Sequence, residues 1–567
     1  MGDAHKMDTN ISSGFKDRDR GSFSRLALGC FLGLWTLVLT VWLYWYSARN
    51  GGLPEWDGFE RVASAARIWY DLRHFDFAHF WLHTNGQAVW PFLHSWITGA
   101  LFVLFGPSFA TAALLSLFAY WGAACLIVWL LLREQSPFAP VGAAASWGLF
   151  TTSPLVLQNS VTIMTELFGL FLVLAIIACL PREKDERPAR FVPSGILLAL
   201  LFLFKYNFAG LTWAALLIHR LAVARYSFWK AVNRSNAILF GIPILCLALW
   251  FIPDTAHKWK NFWGFAFNNP QVYMPFGLES LMYYPQRIPG IYYALPCLFT
   301  ASVTLMLIES PLSKKLRLIN PVFTCFLVHF LAAEIHPMKM DRFQFIAVGL
   351  FFVLSGQVLE ETLSRIFSAV RVPTHVAAWA GCLLILLPAA GYTADRCHEP
   401  QIRQENPYIT PLQAIMDRVD RSDRTALFLA YDSIPPPSVF YYYITRFDQL
   451  EYDVRTGEHR WFLTFLFRTR ESVMSLTPGE RIQELRRVLD SRKTTQVVIV
   501  ECIEPLSGPA YDQAYGGVAE MAKLVPLLDE YELTYEEEFP WTHTRVRVFT
   551  LRKLSISCLE AKTKDVP

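Results

Sequence analysis

Long apolar runs separated by short polar connections fill residues 26–393 of this 567-residue chain. The first run, Leu26–Tyr46, is followed within a few residues by PEWDGFERVASAARIW (54–69), which brings Glu55, Asp57 and Glu60 to its edge. A bilayer crossing needs about 20 apolar residues. Further spans are read at 109–132, 138–152, 167–181, 192–209, 210–224, 235–252, 291–308, 318–334, 343–359 and 374–393. With the first, these make about eleven crossings. Trp42, Tyr44, Trp45 and Tyr46 close the first span with the aromatic belt expected at lipid headgroups. The run WPFLHSWITGALFVLF (90–105) carries Trp90, His94 and Trp96 at one end and has no basic flank. It reads as a helix lying in the interface rather than crossing it.

The positive-inside rule orients these spans. With the N-terminus in the cytoplasm, Arg133, PREKDERPAR (181–190), RLAVARYSFWKAVNR (220–234), SKKLR (313–317) and the connection with Arg365 and Arg371 all fall inside. The outer connections are then 47–108, 153–166, a turn at Asn207, 253–290 and 335–342. Residues 394–567 fall outside and change texture. ALFLAY (426–431), TQVVIVE (495–501) and RVRVFTL (545–551) predict strands, and GERIQELRRVLDS (479–491) and VAEMAKLVPLLDEY (518–531) predict amphipathic helices. Alternating strands and helices point to an α/β layer domain. The expected organisation is a cytoplasmic tail (1–25), a polytopic α-helical membrane domain (26–393) and a C-terminal α/β extracytoplasmic domain (394–567).

Composition narrows the classes. The chain is 53% hydrophobic and 17% charged, against about 25% charged in soluble chains. A formal charge of +3, with no basic cluster interleaved with aromatics, speaks against nucleic acid as a partner. The ten cysteines form no CxxC pair, and seven lie in apolar runs. They read as small hydrophobes rather than a disulfide framework or zinc site.

The spans themselves are nearly free of charge. Ionisable residues gather instead at predicted outer ends: Asp57, Glu60, Arg67, Glu166, Lys205, Glu334, His336, Lys339, Asp341 and Arg342. A conduit would place them in mid-span, so the pattern describes a site at the outer membrane face. Carboxylates suit proton transfer from a hydroxyl, cations suit phosphate, and the aromatics of WGFAFNN (263–269) and VYMPFGLESLMYY (272–284) suit sugar rings. A lipid-linked sugar phosphate makes all these demands at once.

Three segments carry a resemblance to a known family: PEWDGFERVASAARIW, TTSPLVLQNSVTIMTELFGLFLVLA (151–175) and HPMKMDRFQFIAVGLFF (336–352). They are an acid in the first outer loop, a small-residue and Pro segment leading to an acid at a span start, and a His-to-Arg-aromatic motif entering a span. In order and sidedness the chain resembles the GT-C glycosyltransferases over roughly residues 26–393, in particular relatives of the protein O-mannosyltransferases and of the lipid A aminoarabinose transferase. The resemblance implies a polyprenyl-phosphate sugar donor, with a hexose such as mannose moved to an acceptor hydroxyl on a protein, lipid or glycan, with inversion. It implies Asp57 as catalytic base, Glu166 as the second acid holding acceptor or metal, and Lys339 and Arg342 facing the donor phosphate. His336, Lys205 and Arg67 complete the expected substrate-binding set. A divalent metal, Mg or Mn, shared with Glu166 would be compatible with it. The C-terminal domain differs from that of eukaryotic members, which points to a bacterial inner membrane.

Two departures are clear. Asp57 is followed by Gly58 where the family often has Asp-Glu, and NGQAVWPFL (85–93) lacks the Lys of a common Lys-Pro-Pro segment. Arg67, Arg73 or Lys205 are candidates for the missing phosphate contact. The departures keep an inactive scaffold of the same fold among the readings, beside a lipid or polysaccharide transporter. Each site residue also has a plainer role: helix capping for Asp57 with Glu60, helix-dipole stabilisation for Glu166, and snorkelling for Lys339 and Arg342. In HFDFAHFWLH, Asp76, His79 and His83 have spacing that could share a helix face and hold a metal, though aromatic interfacial packing is the favoured reading. The Tyr441–Tyr443 run reads as packing rather than a sugar platform.

Overall fold

The computed structural model describes residues 4–46, 56–87, 91–134, 136–181, 187–256, 258–259, 277–291, 295–311, 313–336, 339, 341–369, 374–396, 426–430, 461–463, 496–502, 528–539 and 544–552. The chain divides into two compact units. The first comprises Met1–Gly52, Asn85–His94 and Ala112–Gln404; the second comprises Leu53–Thr84, Ser95–Thr111 and Glu405–Pro567.

Helices α1 (Ala4–Tyr46), α2 (Trp56–His74), α3 (Phe77–Asn85), α4 (Leu93–Phe105) and α5 (Phe109–Leu132) open the chain. They are followed by α6 (Ala139–Thr152), α7 (Pro154–Val161), α8 (Glu166–Cys179), α9 (Val192–Phe204), α10 (Tyr206–Val223), the short α11 (Phe228–Ala231) and α12 (Arg234–Phe251). Then come α13 (Leu278–Ile291), α14 (Pro296–Glu309), α15 (Pro321–Ile335), α16 (Phe345–Ala369) and α17 (Thr374–Arg396). Each predicted span overlaps a helix, although 192–209 runs past the end of α9 into α10. By length and composition, five described helices can cross a bilayer alone, and six if the bent α7–α8 pair counts as one span. Several others are short: α6, at 14 residues, is about 21 Å long against a hydrocarbon core of about 30 Å.

Three boundaries differ from the sequence expectation for local reasons. The turn expected at Asn207 sits at Lys205, which is extended (φ −157°, ψ 97°) and ends α9 two residues earlier. The outer connection expected at 153–166 holds a helix of its own: Pro154 starts α7, and α7 and α8 meet at 109°. Ser116 Oγ of α5 donates to the Thr162 carbonyl in that break at 2.7 Å, satisfying a backbone group the bend frees. Finally, α14 begins at Pro296, where a missing N–H costs nothing.

The core of the first unit is the α6–α16 contact. Between Ala139 and Thr152 of α6, every residue except Pro140 is buried. Small residues in VGAAAS (141–146) let the backbones close in, and Ser146 Oγ donates to the Phe352 carbonyl at 2.7 Å. A Cβ on Gly142 would lie 2.6 Å from the Gly356 carbonyl oxygen, and one on Gly356 would strike Ser146 Oγ and the Gly142 carbonyl. Gly356→Ala is therefore expected to cost about 1–3 kcal/mol by overpacking. Gly210→Ala, with nothing within 4 Å, should be neutral or slightly stabilising. Thermal-shift measurements in detergent on the two variants check the contrast; equal midpoints would sink it.

One end of this bundle is stitched by charge. Arg25 donates to the Glu134 and Ser136 carbonyls at 2.9 and 3.1 Å, Lys315 pairs with Glu134 at 3.3 Å, and Arg365 bridges Glu309 and Glu361. Among them are three of the connections assigned to the cytoplasm from sequence: the one after Arg133, 313–317 and the one with Arg365.

In the second unit, β1 (Ala426–Ala430), β2 (Trp461–Leu463), β3 (Gln496–Cys502), β4 (Tyr531–Phe539) and β5 (Thr544–Leu551) form a sheet of order β2-β1-β3-β5-β4. Its first three strands are parallel, and β5 and β4 add antiparallel. Val497, Val546 and Val548 are buried. The three predicted strands are β1, β3 and β5. The tail of the helix expected over 518–531 instead opens β4 at Tyr531, and the helix expected at 479–491 lies outside the described residues, as do Tyr441–Tyr443.

Candidate active site

Glu166 is the first residue of α8 and fully buried. Its Oε1 lies 2.5 Å from Nζ of Lys205, which is 2% exposed. The same ammonium stands 4.4 Å from the Phe208 ring centroid, a cation–π contact. Residues read separately in the sequence, as second acid and as candidate phosphate contact, are thus one ion pair. The α9–α10 break aims Lys205, and the α7–α8 break aims Glu166. A carboxylate at a helix N-terminus is also favoured by the helix dipole. Asn159, Ser160, Thr162 and Thr165, which lead into α8, are buried as well.

Helix packing puts further expected residues at this end of the bundle. Gly169 of α8 lies against Phe208 and Ile346, and Leu170 lies against Gly349, so α8, α10 and α16 all start at one level. The connection entering α16 carries His336, Lys339 and Arg342. Lys339 is buried and donates to the Ala333 and Glu334 carbonyls at 3.1 and 2.5 Å, with the Glu334 carboxylate 3.9 Å away. It caps α15, and burial lowers its pKa against the pull of Glu334. Arg342 is half-exposed, with its guanidinium 5.7 Å from the Phe343 ring. His336 is half-exposed and meets the same ring edge-on at 5.8 Å.

A lysine that the sequence reading missed matches Lys339 in design. Lys258, 1% exposed, donates to the Trp250 carbonyl at 2.7 Å and to Asn85 Oδ1 at 3.3 Å, with its Nζ 3.6 Å from the Trp250 ring. Burial lowers its pKa, opposed by Asp254. It caps α12 and holds Asn85, while Phe92 packs on Trp250 (4.9 Å) and His94 on Phe204 (5.6 Å). The only sequence cue was a lysine shortly after an apolar run, in AHKWK (256–260).

In the second unit, α2 starts at Trp56, so Asp57 stands inside its first turn rather than ahead of it. The side chains of Asp57 and Glu60 lie outside the described residues. Arg67 is half-exposed on the same helix. The Asp76, His79 and His83 group resolves into two separate pairs. Asp76 caps α3 and takes His79 Nδ1 at 2.7 Å, which holds its carboxyl below the ordinary range, chiefly through its bond to the His79 backbone N–H. Buried Asp71 takes His83 Nδ1 at 2.7 Å. Among the described residues no group of three or more His, Cys, Asp or Glu could hold a metal ion.

No family model and no curated protein matches the sequence. Solved structures do match the fold. ArnT from Cupriavidus metallidurans, bound to undecaprenyl phosphate, is 12% identical at a TM-score of 0.60, covering 91% of this chain and 97% of that one. The apo form of the same protein matches at 0.55 and 11% identity over the same shares. The Archaeoglobus fulgidus oligosaccharyltransferase, tethered to an acceptor peptide containing the NVT sequon, is 13% identical at 0.52, covering 91% and 73%. The chain is a multi-pass membrane protein with the GT-C fold.

Proposed function

We propose that this chain is a membrane glycosyltransferase that takes a sugar from a polyprenyl-phosphate carrier and moves it to an acceptor hydroxyl. The observation that carries the reading is the buried Glu166–Lys205 pair, at the end of the bundle where α8, α10 and α16 begin, in a fold shared with structures named for undecaprenyl phosphate and for an acceptor peptide. A hexose such as mannose is the proposed sugar, and the extracytoplasmic face of a bacterial inner membrane the proposed location. The acceptor is a protein, lipid or glycan that carries a free hydroxyl.

In this proposal Asp57 accepts the proton of the acceptor hydroxyl. The oxygen attacks the anomeric carbon as the bond to the carrier phosphate breaks, and the electron pair leaves with the phosphate. The sugar is inverted. Arg342 is the proposed cation for the departing phosphate, because its planar fork is half-exposed while Lys339 is committed to the α15 carbonyls. Glu166, held by Lys205, orients the acceptor.

The test uses the full-length protein in lipid vesicles with radiolabelled polyprenyl-phosphate hexoses and a membrane extract as acceptor. Label appearing on the extract supports the reading. Label crossing the vesicle wall without transfer would replace it with a transporter, and donor binding without either would leave a scaffold.

A further inference from the structure

Phe208 stands at a junction of α8, α10 and α15. It lies in the first turn of α10, where a backbone N–H has no helical carbonyl to meet, and its own N–H donates to Asn207 Oδ1 at 2.9 Å. Its ring is buried. From α8 comes Gly169, where a Cβ would lie 2.7 Å from Phe208 Cδ2. From α15 comes His329, which meets the ring edge-on at 6.2 Å and shares a hydrogen bond of 3.1 Å with Thr212, one turn further along α10. His329 and Thr212 are buried too. Packed in this way, the ring has little freedom to turn. Over its face stands the Lys205 ammonium, 4.4 Å from the centroid, which also meets Glu166 at 2.5 Å.

A ring that served packing alone would be matched by the alkyl stem of a lysine; here the charged end lies over it. Such a face attracts the ammonium through the ring quadrupole without taking up an N–H as a carbonyl would. Lys258 gives an N–H to the Trp250 carbonyl, and Lys339 gives its own to the Ala333 and Glu334 carbonyls. A second carboxylate in place of the ring would repel Glu166. The ring thus fixes where the ammonium stands and leaves its N–H direction to Glu166. We propose that Phe208 is a positioning residue for sugar transfer: its immobilised ring places the Lys205 ammonium, and Lys205 sets the Glu166 carboxylate toward the acceptor. The proposal deepens the reading of Glu166 as the acid that orients the acceptor, and rests on it. His329 and Thr212 serve the same device by holding the edge of the ring.

The test replaces Phe208 of the full-length protein with mono-, di- and trifluorophenylalanine, which drain charge from the ring face in steps while barely changing its shape. The series is made in the native background and in the Glu166→Gln/Lys205→Met double variant. Each protein is followed by its thermal midpoint, by binding of the polyprenyl-phosphate sugar and by the rate of transfer at limiting acceptor. In the native background, midpoint and transfer are expected to fall with each added fluorine. Transfer should drop by about 5- to 30-fold across the series, the range of a desolvated cation–π contact, with donor affinity unchanged. In the double variant the midpoints should stay level. Equal slopes in both backgrounds, or none in either, would overturn the contact. Midpoints that fall while transfer holds would make the ring a structural support and overturn the positioning role. Donor affinity falling in step with transfer would assign the ring to the donor and overturn it as well. A protein with native Phe208 that transfers nothing would refute the glycosyltransferase reading and the positioning role with it; the midpoints, which need no substrate, tell that outcome apart from a failed contact.

Discussion

Replacing Asp57 with Asn is expected to slow sugar transfer about 10²–10⁴-fold, the range that a positioned general base contributes. The acceptor hydroxyl is a poor nucleophile until its proton leaves, and an amide cannot take that proton. Donor affinity should stay within a few-fold of wild type, because the proposed phosphate contact is Arg342. The measurement pairs initial rates with equilibrium binding of the polyprenyl-phosphate sugar. Unchanged rates would remove Asp57 from the chemistry. A rate loss matched by a loss of donor binding would assign it to substrate recognition instead. Glu60→Gln is the companion variant, since Glu60 shares the first turns of α2; a loss confined to Asp57 separates chemistry from helix stability.

The membrane half was legible because its signal is coarse. A run of apolar residues long enough to cross lipid leaves few alternatives to helix, and each predicted span found one. The breaks were harder to see. Nothing in the local pattern of FLFKYNFAG (202–210) moves the turn from Asn207 to Lys205; the Lys205 ammonium is held there by Glu166, 39 residues away. The bend before Glu166 was half-visible in the Pro of TTSPLV, but its angle depends on Ser116 reaching over from α5. The sequence could mark Lys339 as basic and near the surface, but not that it would turn back onto the carbonyls of α15. Lys258 escaped notice for the same reason. In the sheet, strands rich in Val and Ile announced themselves, whereas YELTYEEEF (531–539) did not. Its pairing with β5 matches Glu536 and Glu538 with Arg547 and Arg545, a cross-strand effect that only register reveals.

The Glu166–Lys205 pair separates two roles that a single substitution would confuse. Glu166→Gln leaves an ammonium 2% exposed without its carboxylate, and Lys205→Met leaves a buried carboxylate without its cation. Either single change is expected to destabilise the protein by about 3–5 kcal/mol, because the surviving charge stays out of water. The double variant removes both charges, and the desolvation cost goes with them, so it should be far more stable than the sum of the singles predicts. Thermal shifts of the four proteins in one detergent close that cycle; additive losses would show that the two groups do not interact. Transfer activity of the double variant then decides the function of the pair. A stable double variant that turns over normally would make the pair a brace between the α7–α8 and α9–α10 breaks. A stable double variant that binds donor but transfers nothing would assign the pair to the transfer step rather than to the fold, since both of its charges are gone from the mouth of α8 while the helices still hold.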